Sequence, residues 1–172
     1  VVLEPFERGF GYTIGHSLRR ILLSYMPGAA VTEVKIEGVA HEYGTIEGVK
    51  EDILDILLNL KDMAIKLDGS NEAELKLDIK TPKTILASDL EVPAGVEIID
   101  PNHVIATLVE PKKLVMTLKV CTGVGYEPAE NNQNKGVDSL HLDAIFSPVK
   151  RVNYKVENTR VENRTDLDKL IL

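Results

Sequence analysis

Between Gly9 and Met26 lies the segment that most restricts how this chain can fold. Phe10, Ile14, Leu18, Ile21, Leu22 and Tyr25 recur at spacings of three and four, the mark of an apolar helical stripe. Yet Leu18, Arg19, Arg20, Ile21, Leu22 and Leu23 also follow one another directly. Successive helical residues turn by about 100°, so this run points side chains all around the axis. A helix apolar on most of its circumference is buried on several sides. In a small domain, part of that surface must meet something other than the chain's own core. Arg19 and Arg20 admit two readings. A planar guanidinium suits a protein interface, where it makes several fixed hydrogen bonds. It also reaches solvent along a helix edge. The pattern alone favours neither.

The segment has a loose start at Gly11 and Thr13, and Pro27-Gly28 is expected to stop it. A second helix is expected between Thr45 and Lys61, with Thr45 as N-cap and Glu47, Glu51 and Asp52 near its positive end. Its stripe is Val49, Ile53, Ile56, Leu57 and Leu60. Most of the remainder reads as strand. Val1-Val2-Leu3 starts inside one, and Val31 to Ile36, Leu75 to Ile79, Leu114 to Val120 and Val152 to Val156 supply others. Leu75, Leu77 and Ile79 alternate with Lys76 and Asp78, which predicts a sheet with one wet face. Pro82, Pro93-Ala94-Gly95, Asp100-Pro101-Asn102 and Pro111 mark turns. Glu130 to Gly136 is polar, without periodicity, and reads as loop. The pattern is α+β, a few helices on mixed or antiparallel sheet.

Composition narrows the function. With 172 residues the chain is able to bury about 70% of its unfolded surface, so no disulfide or metal is needed. Aromatics are 5% of residues and Trp is absent, so the core is aliphatic. A net charge of -7 argues against autonomous nucleic-acid binding, which needs a basic face, and favours protein partners. The single Cys121 forms no internal disulfide or metal pair and reads as a small core residue. No apolar run reaches a membrane span. Both ends are abrupt, and the chain is expected to be the ordered part of a longer protein.

Catalytic motifs fail one by one. His16, His41, His103 and His141 have no spacing that sets two on one helix face, so they read as scattered surface or half-buried residues. Gly9 to Gly15 is G-x-G-x-x-x-G, one residue too long for a dinucleotide fingerprint, with bulky residues where backbone should meet pyrophosphate. Its glycines instead suggest close approach of another chain or unusual backbone angles. Phosphate-loop and nucleophile-elbow motifs are missing from the sequence. Glu47, Glu51, Asp52 and Asp55 read as the solvated face of a helix. No catalytic residue, metal site or cofactor is expected.

Three longer blocks carry a resemblance. The first is Glu4-Pro5-Phe6-Glu7-Arg8-Gly9-Phe10-Gly11, Thr13, Gly15, and Leu18-Arg19-Arg20-Ile21-Leu22-Leu23-Ser24, closed by Met26-Pro27-Gly28. The second holds Thr32-Glu33-Val34, Gly38-Val39, His41-Glu42-Tyr43, Glu47-Gly48-Val49, Glu51 to Leu54 and Leu58 to Lys61. The third is Arg164-Thr165-Asp166-Leu167-Asp168-Lys169-Leu170. In order and over almost the whole chain, they resemble the N-terminal assembly domain of the bacterial DNA-directed RNA polymerase α subunit.

That resemblance implies an α+β fold of two lobes: a dimerisation lobe from residues 1–28 plus 149–172, interrupted by a mostly antiparallel β lobe from 29–148. It implies a cytoplasmic bacterial scaffold that pairs with a second α subunit, as homodimer or α heterodimer, and templates addition of the β and β′ subunits. Phe10, Ile14 and Leu18 are the expected dimer residues. Arg20 and Leu23 resemble residues that hold β. Lys61, Leu142, Val149 and Lys169 resemble positions that face β′ or support that contact. No direct nucleic-acid contact by this domain is implied. Tyr12, His16, Ser17 and Tyr25 depart from the family's usual His, Asn, Ala and Ser, and Asn131 to Lys135 lacks an acidic run through which some relatives contact an activator. An unrelated α+β self-association module is the alternative.

Overall fold

The helical segment forms α1 (Phe10–Ser24), between β1 (Val2–Phe6) and β2 (Pro27–Ile36), in a computed structural model that describes residues 1–39, 41–132 and 139–172. The helix closes at Tyr25, whose N–H donates to the Ile21 carbonyl at 2.8 Å. Tyr25 and Met26 separate the last helical residue, Ser24, from Pro27, which opens the next strand; proline cannot continue a helix and disfavours helical backbone in the residue before it, so the helix ends just short of the expected stop.

The chain divides into two compact units, Val1–Met26 with Ser147–Leu172, and Pro27–Phe146. The expected joins, at 28/29 and 148/149, stand two residues further along at each boundary. The first unit is a three-stranded antiparallel sheet in the order β1-β13-β12, with β12 at Lys155–Val161 and β13 at Arg164–Ile171. Helix α1 packs on β12 and β13. The strand expected at Val152 to Val156 lies further along the chain. Val152 is buried ahead of it, and the polar residues Glu157, Asn158 and Thr159 are strand because they pair with Lys169, Asp168 and Leu167 of β13.

The second unit is built on a sheet in the order β4-β8-β2-β3-β6. Its strands are β3 (Ile65–Leu67), β4 (Glu72–Ile79), β6 (Val96–Ile98) and β8 (Leu114–Val124), with β10 (Leu140–His141) also pairing β2. Two small ribbons join β5 (Lys83–Leu86) to β7 (Val104–Leu108), and β9 (Tyr126–Glu127) to β11 (Ala144–Ile145). Leu75, Leu77 and Ile79 are buried and alternate with exposed Lys76 and Asp78, as the period-two pattern requires. They join Val34, Met116 and Leu118 in an aliphatic core. Cys121 does not belong to that core: it is half-buried, with its Sγ 3.4 Å from Thr32 Oγ1.

Helix α2 (Ile53–Asp62) starts seven residues later than expected. Thr45 is not its N-cap. Asp52 is, and its carboxylate accepts from the Asp55 N–H at 2.8 Å. The cause is Gly48, whose φ of +85° belongs to the left-handed region that breaks a right-handed helix. Val49 consequently precedes the helix and bridges to Leu108. The acidic residues before it are not a solvated helical face either. Glu47 pairs with Lys112, and the half-buried Glu51 accepts from the Thr107 N–H at 2.6 Å. Glu51→Ala is therefore expected to lower stability by about 1–2 kcal/mol, because it strips a charged acceptor from a backbone donor; urea denaturation checks this. Inward, α2 buries Ile53, Ile56, Leu57 and Leu60.

Backbone at Ala129–Asn132 makes a 3-10 turn. The rest of the expected Glu130 to Gly136 loop, with the non-acidic run ending at Lys135, lies outside the described residues.

Candidate functional site

Helix α1 meets its sheet through glycine. A Cβ at Gly11 would stand 2.8 Å from Val156 Cγ1 and 3.0 Å from Asp168 Cβ, and one at Gly15 would stand 2.6 Å from the Tyr154 ring and 2.9 Å from Leu170 Cδ1. Only these two residues of α1 are buried. The close approach that the glycines permit is thus to the chain's own strands, a correction to the expectation of another chain. The expectation of unusual backbone holds at Gly9, whose φ is +89°.

The helix start is anchored from β13. Asp168, buried at 4% exposure, accepts from the Gly9 N–H at 2.8 Å and the Gly11 N–H at 3.1 Å. These are donors that the helix leaves unpaired, at the end where its dipole favours negative charge. Next to it, Arg164 grips Glu7 with two parallel hydrogen bonds of 2.8 Å. That bidentate contact holds the Glu7 carboxyl below its usual range, first by hydrogen bonding and then by charge.

With the sheet side fixed, the remaining rows of α1 follow from helical spacing. Leu18 and Leu22 continue the Gly11–Gly15 row and are half-buried. Phe10, Ile14, Ile21 and Tyr25 form the adjacent row. Phe10 is 57% and Tyr25 61% exposed, and Ile14 is half-buried. Tyr12, His16, Arg19 and Leu23 form the row on the other flank, while Thr13, Ser17, Arg20 and Ser24 face away from the sheet. The single stripe read from the sequence is therefore two rows, one turned to the sheet and one turned outward. Of the expected dimer residues, Phe10 and Ile14 share the outward row and Leu18 sits on the sheet row. Arg20 and Leu23 occupy different rows. Both arginines are exposed, and neither makes an ion pair among the described residues.

The four expected β′-side residues divide between the units. In the second unit, the Lys61 ammonium lies 3.6 Å from Asp143 Oδ2, and Asp143 Oδ1 accepts from the Ala129 N–H at 3.0 Å. That backbone donor, and then the Lys61 charge, hold the Asp143 carboxyl below its usual value. Leu142 is buried in the core, and its N–H donates to the Thr32 carbonyl at 3.0 Å. In the first unit, Val149 is half-buried and Lys169 approaches Glu4 at 3.4 Å. Asp168 and Asp143 were not singled out from the sequence. Asp168 stands in the third resemblance block without a role, and nothing in the spacing of Asp143 ties it to Lys61.

Among the described residues, no group of three or more His, Cys, Asp or Glu could hold a metal ion. No helix among them is long and apolar enough to cross a membrane. Two clefts are open. One of about 500 Å³ lies on the polar sheet face around Glu33, Lys35, Glu74 and Lys119, and one of about 400 Å³ lies around Phe6, Arg164 and Leu167.

A family model described as the RNA polymerase Rpb3/RpoA insert domain matches residues 34–147. The matched span is well over half of the chain and falls almost entirely in the second unit. It removes the unrelated interaction module from consideration. With its α+β fold and this match, the chain belongs to the RNA polymerase α/Rpb3 family as an α-type N-terminal domain, part of the nucleotidyltransferase assembly that transcribes DNA.

Proposed function

We propose that this chain is the non-catalytic scaffold of its polymerase: it pairs with a second α subunit through α1 and templates the addition of β and β′. The observation that carries this reading is the outward row of α1. A helix seated on its own sheet through Gly11 and Gly15 keeps Phe10, Ile21 and Tyr25 about half exposed or more. Exposed apolar side chains are ordinary when scattered. Aligned on one helix row, they suit a partner, and a two-fold pair requires one self-complementary patch. The second α subunit is a copy of this chain or a close relative of it.

In this reading Arg20, on the face away from the sheet, contacts β together with Leu23. Lys61, Val149 and Lys169 meet β′, and buried Leu142 supports the backbone beside Asp143. The protein works in the bacterial cytoplasm, has no cofactor of its own, and leaves nucleic acid to other parts of the enzyme, in keeping with its net charge of -7.

Two substitutions separate the roles. Arg20→Ala is expected to leave the dimer mass unchanged and weaken β capture by about thirtyfold, the scale of an interface hot spot. Phe10→Asp is expected to do the reverse, releasing monomers with little change in melting temperature, because its side chain is already exposed. Light scattering and pull-down with purified β check both. Unchanged β capture by the Arg20 variant would remove that residue from the interface, and a dimeric Phe10 variant would remove the outward row.

A further inference from the structure

We draw no further inference here: the strongest candidate, the open cleft of about 500 Å³ on the polar sheet face of the second unit around Glu33, Lys35, Glu74 and Lys119, sets both signs of charge side by side, with Lys119 already 2.9 Å from Glu72, and nothing in the structure shows what covers it.

Discussion

Gly15→Val is expected to unseat α1 from its sheet and to lower stability by about 3 kcal/mol, near the top of the range for forcing extra atoms into a packed contact. Even a methyl group at this position would stand 2.6 Å from one atom of the Tyr154 ring, 2.8 Å from another and 2.9 Å from Leu170 Cδ1. Leu170 is fully buried in β13 and has no room to retreat. Valine adds two branches that are stiff in a helix. Against this stands a gain of under about 1 kcal/mol from replacing glycine inside a helix, which does not offset the clash. The consequence extends beyond stability. If α1 lifts or rotates on the sheet, Phe10, Ile14, Ile21 and Tyr25 no longer share one outward row, so self-association should weaken together with folding. Thermal melting and light scattering on the same sample measure both. A variant that melts like the parent and stays dimeric would show that α1 tolerates a wider separation from β12 and β13.

The second large effect is expected at Asp168. Asp168→Ala removes the acceptor for two backbone donors at the helix start, Gly9 N–H at 2.8 Å and Gly11 N–H at 3.1 Å. Gly9 is exposed and water replaces its partner, but Gly11 is buried and its donor is left unpaired. An unsatisfied buried donor costs about 1–3 kcal/mol, and losing a negative charge at the positive end of the helix adds roughly 0.3–1 kcal/mol. A loss of about 2–3 kcal/mol is expected from urea denaturation. Asp168→Asn keeps one acceptor oxygen and should lose less. If Ala and Asn were equally harmless, the helix start would be held by something other than β13.

These two residues also show what the sequence did and did not reveal. The helix itself was legible, because spacings of three and four are unmistakable over fifteen residues. Its orientation was not. Hydrophobicity patterning assigns leucine and phenylalanine to the inside, yet the residues of α1 that are fully buried are Gly11 and Gly15. A glycine contact depends on what stands opposite, here Tyr154, Val156, Asp168 and Leu170, all far away in the chain. Asp168 was unreadable for the same reason: one carboxylate among many gains its meaning from a partner about 160 residues earlier. In the second unit, the alternation in β4 gave its buried face directly, while the start of α2 was set by the left-handed backbone at Gly48, which acidic residues nearby disguised as a helical first turn. The exposed Leu54 and Leu58 were hidden in an apolar-rich helix, where periodicity shows that a core face exists but does not exclude a second one.

Mass measurement of the intact subunit, alone and mixed with purified β, tests the scaffold role most directly. About twice the mass of one copy is expected for the subunit alone, and with β a larger complex that retains both copies. A subunit that runs as a monomer and leaves β unbound would contradict the scaffold role.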